Sequence, residues 1–416
     1  MQVTSTVIAR VSIERCWLHT WLEQPNISKE HTMDGKLAVI GMGTMGSMVM
    51  WRSSLLTGGI VGFDSGFPAS ESTAVGGDTR MFRVAYKEGP QYSSLLQESE
   101  RLWHELNEYT QIPVLDQRSG GVSIVTEHSE FHRSLLASAD ATGAVFDQLS
   151  RDDFLLRYEQ HVLLNNDVGL IDPRAGFIRS ELAVLTAFEQ ALTNGAAANT
   201  VTQIDEIIPV NGCVQIRSGN SSWTFEKVVV TSGAWSRNLL PATYMKHLEP
   251  RRIALTWYAS RNPEQFAPHN FPPFMRYSDG LHMYGAPSVD GNTVKLGGII
   301  PSEKVADAGT MNRELTMEEI ARSNEAVRQF FPGLIPYCVR SRAYPDLYTV
   351  DQQPLIGWLP DVPGVYVATG FSGKGFKMAS GVGEAVAQDL FGAPAPSRLE
   401  FANPTRFAEQ PWVLKQ

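Results

Sequence analysis

Cysteine is scarce in this sequence: 416 residues include only Cys16, Cys213 and Cys338. These three are odd in number, far apart and without CxxC spacing, so the sequence indicates neither a disulfide framework nor a zinc site, and no metal site is predicted. Such cysteine usage fits a reducing compartment, and we expect the protein in the cytoplasm.

A long apolar run and an excess of positive charge are also missing. No stretch approaches the roughly 18 continuous apolar residues that a membrane span needs. The 35 basic residues are outnumbered by 44 acidic ones, and the formal net charge of −9 argues against a general nucleic-acid surface. We therefore expect no membrane and no nucleic-acid partner, and any functional positive charge has to be concentrated locally.

The first strong strand pattern begins just after Met33. We interpret residues 1–33 as an N-terminal extension, either a disordered arm or an overlong gene start. Arg10, Glu14 and Arg15 interrupt its apolar pieces, which leaves no continuous apolar segment of a signal peptide. The chain as a whole is 43% apolar, which is enough for a large core divided between two domains.

A glycine-rich turn follows the first strand pattern. The apolar run at 36–40 leads into GMGTMG at 41–46, a helical stretch from Ser47 to about Leu56, and a second apolar run that ends in Asp64. This order is typical of a dinucleotide-binding unit, in which glycines permit a tight turn, close approach of a pyrophosphate and helix packing, while the acid binds ribose hydroxyls. The pattern fits NAD and FAD equally. The cofactor-binding residues predicted here are Gly41, Gly43, Met45, Gly46 and Asp64.

Two further apolar runs end in glycine, KVVVTSGAW at 227–235 and GVYVATG at 364–370. Three such junctions predict one nucleotide-binding sheet assembled from three distant segments. The second run leads into GFSGKGFK at 370–377 and a helix that we expect to start near Gly381. Glycines let backbone approach a ligand closely, and a helix N-terminus presents free N–H groups to an anion.

The material between these junctions has alternating apolar and polar residues, which is typical of an antiparallel sheet. The predicted fold class is therefore α/β, of the two-domain α+β type, with a Rossmann-type nucleotide-binding domain interleaved with a substrate domain built on an antiparallel sheet. The predicted bounds are 34–115, 175–240 and 341–395 for the first domain, 116–174 and 241–340 for the second, and 396–416 for a C-terminal tail.

The segment GDTRMFR at 77–83, followed by AY at 85–86 and EG at 88–89, resembles the GDTR-x-x-R signature of the monomeric sarcosine oxidase and N-methyltryptophan oxidase family. The resemblance runs from about Leu37 to about Phe391 and includes KLG at 295–297. These proteins are FAD-dependent amine oxidases of the D-amino-acid-oxidase-like superfamily. The resemblance implies FAD, a two-domain fold, and oxidation of a C–N bond in a secondary amino acid with electron transfer to O₂.

The resemblance also implies roles for individual residues. Arg83 and Lys377 match the pair that binds the substrate carboxylate, and a buried carboxylate does require fixed positive charge. Arg80 matches an arginine against the flavin. Lys295 matches a lysine that assists reduction of O₂, and Tyr284 matches an active-site tyrosine. The residues that complete the predicted cofactor and substrate sites are Thr79, Gly233, Trp235, Gly370, Gly373, Gly375, Phe376 and Lys377.

Ordinary structural roles remain open for some of these side chains. Arg83 could form a surface salt bridge with Asp78 or Glu88. Lys295 could be an edge-strand lysine whose stem covers apolar surface, and Tyr284 could be a core aromatic.

The sequence departs from the family at several positions. The family attaches FAD through a cysteine at the position of Tyr344, and tyrosine cannot form that thioether, so we expect noncovalent FAD. Family histidines are replaced by Gly76, Ile299 and Lys374. A pocket with fewer imidazoles and more apolar space favours a bulkier N-alkyl or cyclic amino acid over sarcosine.

The predicted function is therefore FAD-dependent oxidation of an N-methyl or cyclic amino acid to an imine that hydrolyses, with H₂O₂ as by-product and the protein acting as a monomer. The alternatives are a dehydrogenase of the same fold with another electron acceptor, a primary-amine oxidase of the D-amino-acid or glycine type, and a flavin-binding subunit without catalysis. Retention of Arg83, Lys295 and Lys377 argues against the last alternative.

Overall fold

A computed structural model describes residues 33–84, 89–142, 144–392 and 399–408. The predicted N-terminal extension, apart from Met33, lies outside the described residues. So do residues 85–88 of the family motif and much of the predicted C-terminal tail.

Helices separate groups of one to five strands along the described chain. The helices are α1 Thr44–Ser54, α2 Ser93–Asn107, α3 Glu130–Thr142, α4 Arg151–Arg157, α5 Ser180–Thr193, α6 Ala242–Met245, α7 Met317–Phe330, α8 Gly375–Phe391 and α9 Thr405–Ala408. The strands are β1 Gly35–Ile40, β2 Ile60–Phe63, β3 Thr79–Phe82, β4 Leu115–Asp116, β5 Gly121–Thr126, β6 Asp147–Gln148, β7 Asp167–Asp172, β8 Gly176–Arg179, β9 Ala197–Asn199, β10 Glu206–Val210, β11 Cys213–Ser218, β12 Ser221–Val230, β13 Leu248–Ser260, β14 Phe274–Ser278, β15 Leu281–Ala286, β16 Thr293–Gly297, β17 Glu303–Lys304, β18 Leu334–Thr349, β19 Leu355–Trp358 and β20 Val365–Thr369.

The first sheet has eight strands in the order β10-β11-β12-β1-β2-β9, with β20 paired to β12 and β19 to β20. Strand β1 runs parallel to both β2 and β12, and β20 runs parallel to β12. Leu37 and Val39 pack on one face with helices α1, α2, α5 and α8, while Ala38 and Ile40 pack on the other face. Burial of both faces explains why these strands read as continuous apolar runs.

The second sheet is mostly antiparallel and has nine strands in the order β17-β13-β16-β15-β14-β5-β7-β6, with β18 paired to β13. A third sheet, β3-β8-β4, carries the GDTR segment on β3. The predicted α/β fold class is confirmed: the first sheet has parallel strands at its centre, and the second sheet is mostly antiparallel. The domain bounds stay a prediction, and β18 is one continuous strand that crosses the bound placed between residues 340 and 341.

The helix that we expected to start near Gly381 begins instead at Gly375. Gly381 and Gly383 lie inside α8, where they permit close helix packing and not a turn. A Cβ on Gly381 would lie 2.5 Å from Ser99 Oγ of α2, and one on Gly383 would lie 2.6 Å from the backbone carbon of Met48 in α1. The earlier start puts residue 377 in the first turn of the helix.

Candidate active site

The carboxyl ends of the adjacent parallel strands β1, β12 and β20 meet at one edge of the first sheet. The chain leaves β1 through Gly41, whose φ is +92° and where a Cβ would lie 2.6 Å from Ser232 Cα. Thr231 Oγ1 donates a hydrogen bond to the Gly41 carbonyl over 2.7 Å. The three glycine junctions therefore form one surface made mostly of backbone, which is what a pyrophosphate requires.

The glycines of the first turn have different tasks. A Cβ on Gly46 would lie 1.8 Å from the Gly41 carbonyl oxygen, so this glycine lets α1 pack against the turn. A Cβ on Gly43 would approach only Val75 Cγ2, at 3.7 Å, and Gly43 lines a cavity. Gly43 therefore leaves room for a ligand, whereas Gly46 leaves room for the protein itself.

Asp64 follows β2 directly and is held by the turn. Its carboxylate accepts the Met42 N–H over 2.7 Å and the Gly66 N–H over 2.8 Å. The acid lies in the wall of the same cavity as Gly43, where the dinucleotide-binding pattern places it for contact with a ribose.

This cavity has a volume of about 930 Å³ and reaches from the first sheet to the antiparallel sheet. It combines a glycine cradle and an acid at one end with lysine, arginine and tyrosine side chains at the other, which fits a dinucleotide followed by a small anionic substrate. Gly46, which packs behind the turn, is the predicted site residue outside its wall. The predicted site residues that line it are Gly41, Gly43, Met45, Asp64, Thr79, Arg80, Arg83, Gly233, Trp235, Tyr284, Lys295, Gly370, Gly373, Gly375, Phe376 and Lys377.

Arg80 is fixed in the wall by backbone carbonyls. Its guanidinium donates to the carbonyls of Thr79 at 2.7 Å, Ala74 at 2.8 Å and Gly76 at 2.7 Å. Its Cζ atom lies 5.6 Å from the centroid of the Phe376 ring. These contacts orient the positive charge without neutralising it, because carbonyl groups carry no net charge.

Lys295 extends from β16 and is buried, with 5% of its surface exposed. Its Nζ donates to the carbonyl of Gly77 over 2.8 Å and also to that of Thr79. Burial lowers the pKa of Lys295 well below its ordinary value, and the nearby charge of Arg80 lowers it further. A negative charge in the cavity would oppose this shift and favour the ammonium form.

Arg83, which directly follows β3, and Lys377, in the first turn of α8, both line the cavity. Arg83 is buried and donates to the sulfur of Met275, a weak acceptor. Lys377 Nζ donates to the Lys374 carbonyl over 3.2 Å. The structure thus brings the predicted carboxylate-binding pair into one cavity, and its role stays a prediction.

Asp78 of the GDTR segment has a structural task. Its carboxylate accepts the Trp257 Nε1–H over 2.7 Å and forms a salt bridge with Arg340, and its φ is +67°. It therefore ties the turn before β3 to strands β13 and β18. The salt bridge considered between Asp78 and Arg83 is not formed, and Glu88, the other partner considered, lies outside the described residues.

The expectation of extra space at Gly76 and Ile299 is wrong. The ring of Tyr344 occupies the space beside Gly76, where a Cβ would lie 2.6 Å from Tyr344 Cε1. Tyr344 donates to Glu71 Oε1 over 3.3 Å. Ile299 is 8% exposed and packs in the core of the antiparallel sheet. Lys374, the third replacement, does line the cavity.

Sequence reasoning missed a polar and aromatic wall formed by Tyr277, His282, Asp346 and Tyr348. The His282 ring stacks on Tyr277 with centroids 4.2 Å apart and lies 5.9 Å from Tyr284. The cavity therefore keeps an imidazole, although at a position that the family motifs did not indicate. For Asp346 and Tyr348, which lie on β18 with Tyr344, alternation along the strand was the available signal, because residues two apart on a strand share a face.

Comparison with known proteins decides the family. The family model described as DAO, FAD dependent oxidoreductase, matches residues 36–389. The chain belongs to this family. It is an FAD-dependent oxidoreductase, and the resemblance drawn from the motifs is confirmed.

Curated relatives carry the two names that the motifs suggested. The chain is 28% identical over 354 residues to monomeric sarcosine oxidase of Bacillus sp. (strain B-0618), covering 84% of this chain and 90% of that protein. It is 28% identical over 374 residues to N-methyl-L-tryptophan oxidase of Yersinia pestis (strain Pestoides F), covering 89% of this chain and 98% of that protein.

Solved structures share the fold at lower identity. NikD, an unusual amino acid oxidase essential for nikkomycin biosynthesis, has a TM-score of 0.78 at 16% identity and covers 90% of this chain and 98% of its own. L-Proline dehydrogenase from P. horikoshii has a TM-score of 0.77 at 18% identity with the same coverage. Glycine oxidase from Geobacillus kaustophilus has a TM-score of 0.74 at 17% identity, with 90% and 99% covered.

The two glycines of the first turn predict two different defects. We expect Gly46→Ala to lower the stability of the apoprotein by about 1–3 kcal/mol, because its Cβ meets the Gly41 carbonyl. We expect Gly43→Ala to change that stability by less than about 1 kcal/mol, yet to weaken FAD binding about tenfold or more, because its Cβ points into the cavity. Denaturant unfolding of apoprotein and FAD titration measure the two effects. Equal loss of apoprotein stability in both variants would contradict this assignment.

Proposed function

We propose that this protein oxidises the C–N bond of a secondary amino acid, either N-methyl or cyclic, to an imine that hydrolyses, and that O₂ accepts the electrons and becomes H₂O₂. The observation that carries the proposal is the convergence of Arg83 and Lys377 with Lys295 and Tyr284 in one cavity. Two cations beside a tyrosine suit a substrate with a carboxylate. The curated relatives named for sarcosine and N-methyl-L-tryptophan support a secondary amine.

Each of these side chains binds the substrate, orients it or contributes to the electrostatic environment of the reaction. Arg83 and Lys377 hold the substrate carboxylate, which fixes the position of the neighbouring carbon and nitrogen. Tyr284 closes the substrate side of the cavity, and burial raises its pKa, so its phenol stays protonated. Arg80, whose guanidinium is fixed by carbonyls, supplies positive charge where negative charge develops. FAD, when bound, takes up the electrons and the hydrogen removed from the substrate carbon.

The electron acceptor is the part of the proposal that has a specific alternative. A buried cation stabilises superoxide as it forms, which is the role we propose for Lys295. Burial lowers the pKa of Lys295, which opposes the charged form that this role needs, whereas a dehydrogenase that passes electrons to another acceptor does not need that charge. One solved structure of this fold is named L-proline dehydrogenase, and another is named glycine oxidase, the primary-amine alternative.

We further propose that the protein acts as a monomer in the cytoplasm. Cys213 and Cys338 are free thiols, which fits a reducing compartment. Among the described residues, every helix is too short or too polar to cross a lipid bilayer.

The first test follows the visible spectrum of the flavin in anaerobic holoenzyme during addition of N-methyl, cyclic and primary amino acids. We expect one secondary amino acid to bleach the flavin, and air to restore the colour with formation of H₂O₂. Recovery with a dye but not with air would favour the dehydrogenase, and bleaching by a primary amino acid with release of ammonia would favour the other alternative. Bleaching by no member of the panel would contradict the proposal.

Arg83→Gln serves as the binding control in this test. Loss of a charged donor to the carboxylate should raise the concentration that gives half-maximal bleaching about 10- to 100-fold. The same substitution at Arg217, an exposed residue of β11, should leave that concentration unchanged.

Replacement of Lys295 separates the two half-reactions. In Lys295→Met, anaerobic bleaching by the substrate should stay within about threefold of the original rate, while reoxidation in air should slow about 100-fold or more, as for loss of one charge-stabilising donor. Stopped-flow spectra measure both rates. Lys304→Met, at an exposed lysine of β17, is the control. Unchanged reoxidation in Lys295→Met would remove this lysine from the O₂ step.

Noncovalent attachment of FAD is tested by denaturation. Tyr344 donates to Glu71 and cannot form a thioether, so acid precipitation of the holoenzyme should leave all FAD in the supernatant. Flavin that stays with the pellet would contradict the prediction. If FAD stayed in the pellet of the original protein but was released into the supernatant from Tyr344→Phe, FAD would be attached through the Tyr344 phenol.

A further inference from the structure

Asp346 is a carboxylate of the cavity wall that the proposed function leaves without a task. It lies on β18 between Tyr344 and Tyr348, in a stretch of the strand, residues 344–348, that lines the cavity throughout. Asp346 is half-buried because one side faces the cavity. The carboxylate is therefore positioned toward whatever occupies the cavity.

Backbone donors hold this carboxylate at the substrate end. The Leu347 N–H donates to Oδ1 over 2.8 Å, and the Gly373 N–H lies near the carboxylate and lowers its pKa. A Cβ on Gly373 would lie 3.8 Å from Asp346 Oδ2 and 2.9 Å from the Tyr348 hydroxyl. The glycine predicted to contact substrate is thus the immediate neighbour of the acid.

Asp346 forms no salt bridge within the described part of the chain. Like Asp346, the two other acids of the cavity wall accept backbone N–H groups: Asp64 accepts those of Met42 and Gly66, and Asp205 accepts that of Gly219 over 2.9 Å. A carboxylate in a cavity wall is costly unless a cation pairs with it, so a cationic ligand group would relieve that cost.

The charged and titratable groups around Asp346 come from five elements. Arg80 approaches from β3, Lys377 from α8 and Tyr284 from β15, while Tyr348 lies two residues along β18. Arg251 of β13 is its cross-strand neighbour and lies over the Tyr348 ring. Burial raises the pKa of Asp346 to about 6, against the opposing effects of the two backbone N–H groups, Arg80 and Lys377. Above that pH the acid is ionised.

We propose that Asp346 binds the ammonium group of the substrate and accepts its proton. This rests on the proposed function: the amino acid enters as the zwitterion, with its carboxylate on Arg83 and Lys377 and its ammonium on Asp346. One proton moves from the ammonium nitrogen to Asp346 Oδ2, which breaks an N–H bond, forms an O–H bond and leaves a neutral amine beside a neutral carboxyl. No electrons leave the substrate in this step, and the freed nitrogen lone pair prepares the C–N bond for oxidation.

Neighbouring groups are less suited to this task. Burial raises the pKa of both Tyr284 and Tyr348, so their phenols stay protonated at neutral pH and cannot accept a proton. The Nζ of Lys295 donates hydrogen bonds to two backbone carbonyls, so it faces hydrogen-bond acceptors and not a proton donor. Asp346 is the carboxylate at the substrate end of this cavity within the described residues.

Two inert probes test the binding step. 2-Amino-2-methylpropanoate is a zwitterion, whereas 2-hydroxy-2-methylpropanoate has a similar shape with a neutral oxygen; in neither molecule does the carbon that carries the nitrogen or the hydroxyl bear a hydrogen that could be removed. Perturbation of the flavin spectrum of the holoenzyme gives both dissociation constants. We expect the zwitterion to bind about 10- to 100-fold more tightly than the hydroxy acid, as for a charge-assisted hydrogen bond, and Asp346→Asn to remove this preference. Asp346→Glu should restore part of it, and Glu303→Gln, at an exposed acid of β17, should keep it.

The pH dependence gives a second readout. Because the ionised acid binds the cation, affinity for the zwitterion should be present above pH 6 and fall as the pH drops through about 6, the pKa of Asp346, in the original protein. In Asp346→Asn this fall should be absent. In Asp346→Asn, only substrate whose amine is already unprotonated in solution should bleach the flavin anaerobically. The bleaching rate should therefore keep rising with pH up to the pKa of the free ammonium group.

The outcomes separate this inference from the proposed function. Equal binding of both probes by the original protein, or an unchanged preference in Asp346→Asn, overturns the role of Asp346, even if secondary amino acids bleach the flavin. Loss of the preference supports that role, even if no panel member is oxidised. If neither probe binds, the pH dependence of bleaching decides: identical profiles for the original protein and Asp346→Asn overturn the proposal.

Discussion

The close approach of backbone at the ends of β1 and β12 is the constraint on which the site depends. Gly41 and Ser232 come so near that a Cβ on the glycine would lie 2.6 Å from Ser232 Cα, and Thr231 fastens the two segments with a hydrogen bond. This contact fixes the direction in which α1 leaves the sheet. Gly41, Thr231 and Ser232 also line the cavity, so the same contact shapes its wall.

Sequence patterns predicted the elements whose signals are local. The run GMGTMG between two apolar strands indicates a strand, turn and helix by residue type alone, and the parallel strands read as unbroken apolar runs because both faces are buried. The start of α8 was misplaced for a physical reason. Gly381 and Gly383 resemble turn residues in sequence, yet they are glycines because Ser99 and Met48 of neighbouring helices leave no room for a side chain.

When a side chain is lost at one position and a residue far away in the sequence fills its space, neither position alone reveals the change. Loss of a histidine at Gly76 predicts empty space, but Tyr344, far away in sequence, fills it. The wall of β18 depends on pairing with β13, which no local pattern specifies. Once that pairing is known, the two-residue period of a strand places Asp346 and Tyr348 beside Tyr344, so the missing information was register and not residue type.

The way in which the cavity cations are held explains how a chain with a net charge of −9 keeps a positive site. Within the described residues, Arg80 and Lys295 donate to backbone carbonyls, which hold a side chain in place without neutralising its charge. A carboxylate partner would have neutralised each of them and removed the field that an anionic substrate needs. Among these cations Asp346 contributes negative charge next to Gly373. A cavity with this arrangement of charges suits a zwitterion better than a simple anion, because each end of the ligand meets its own counter-charge.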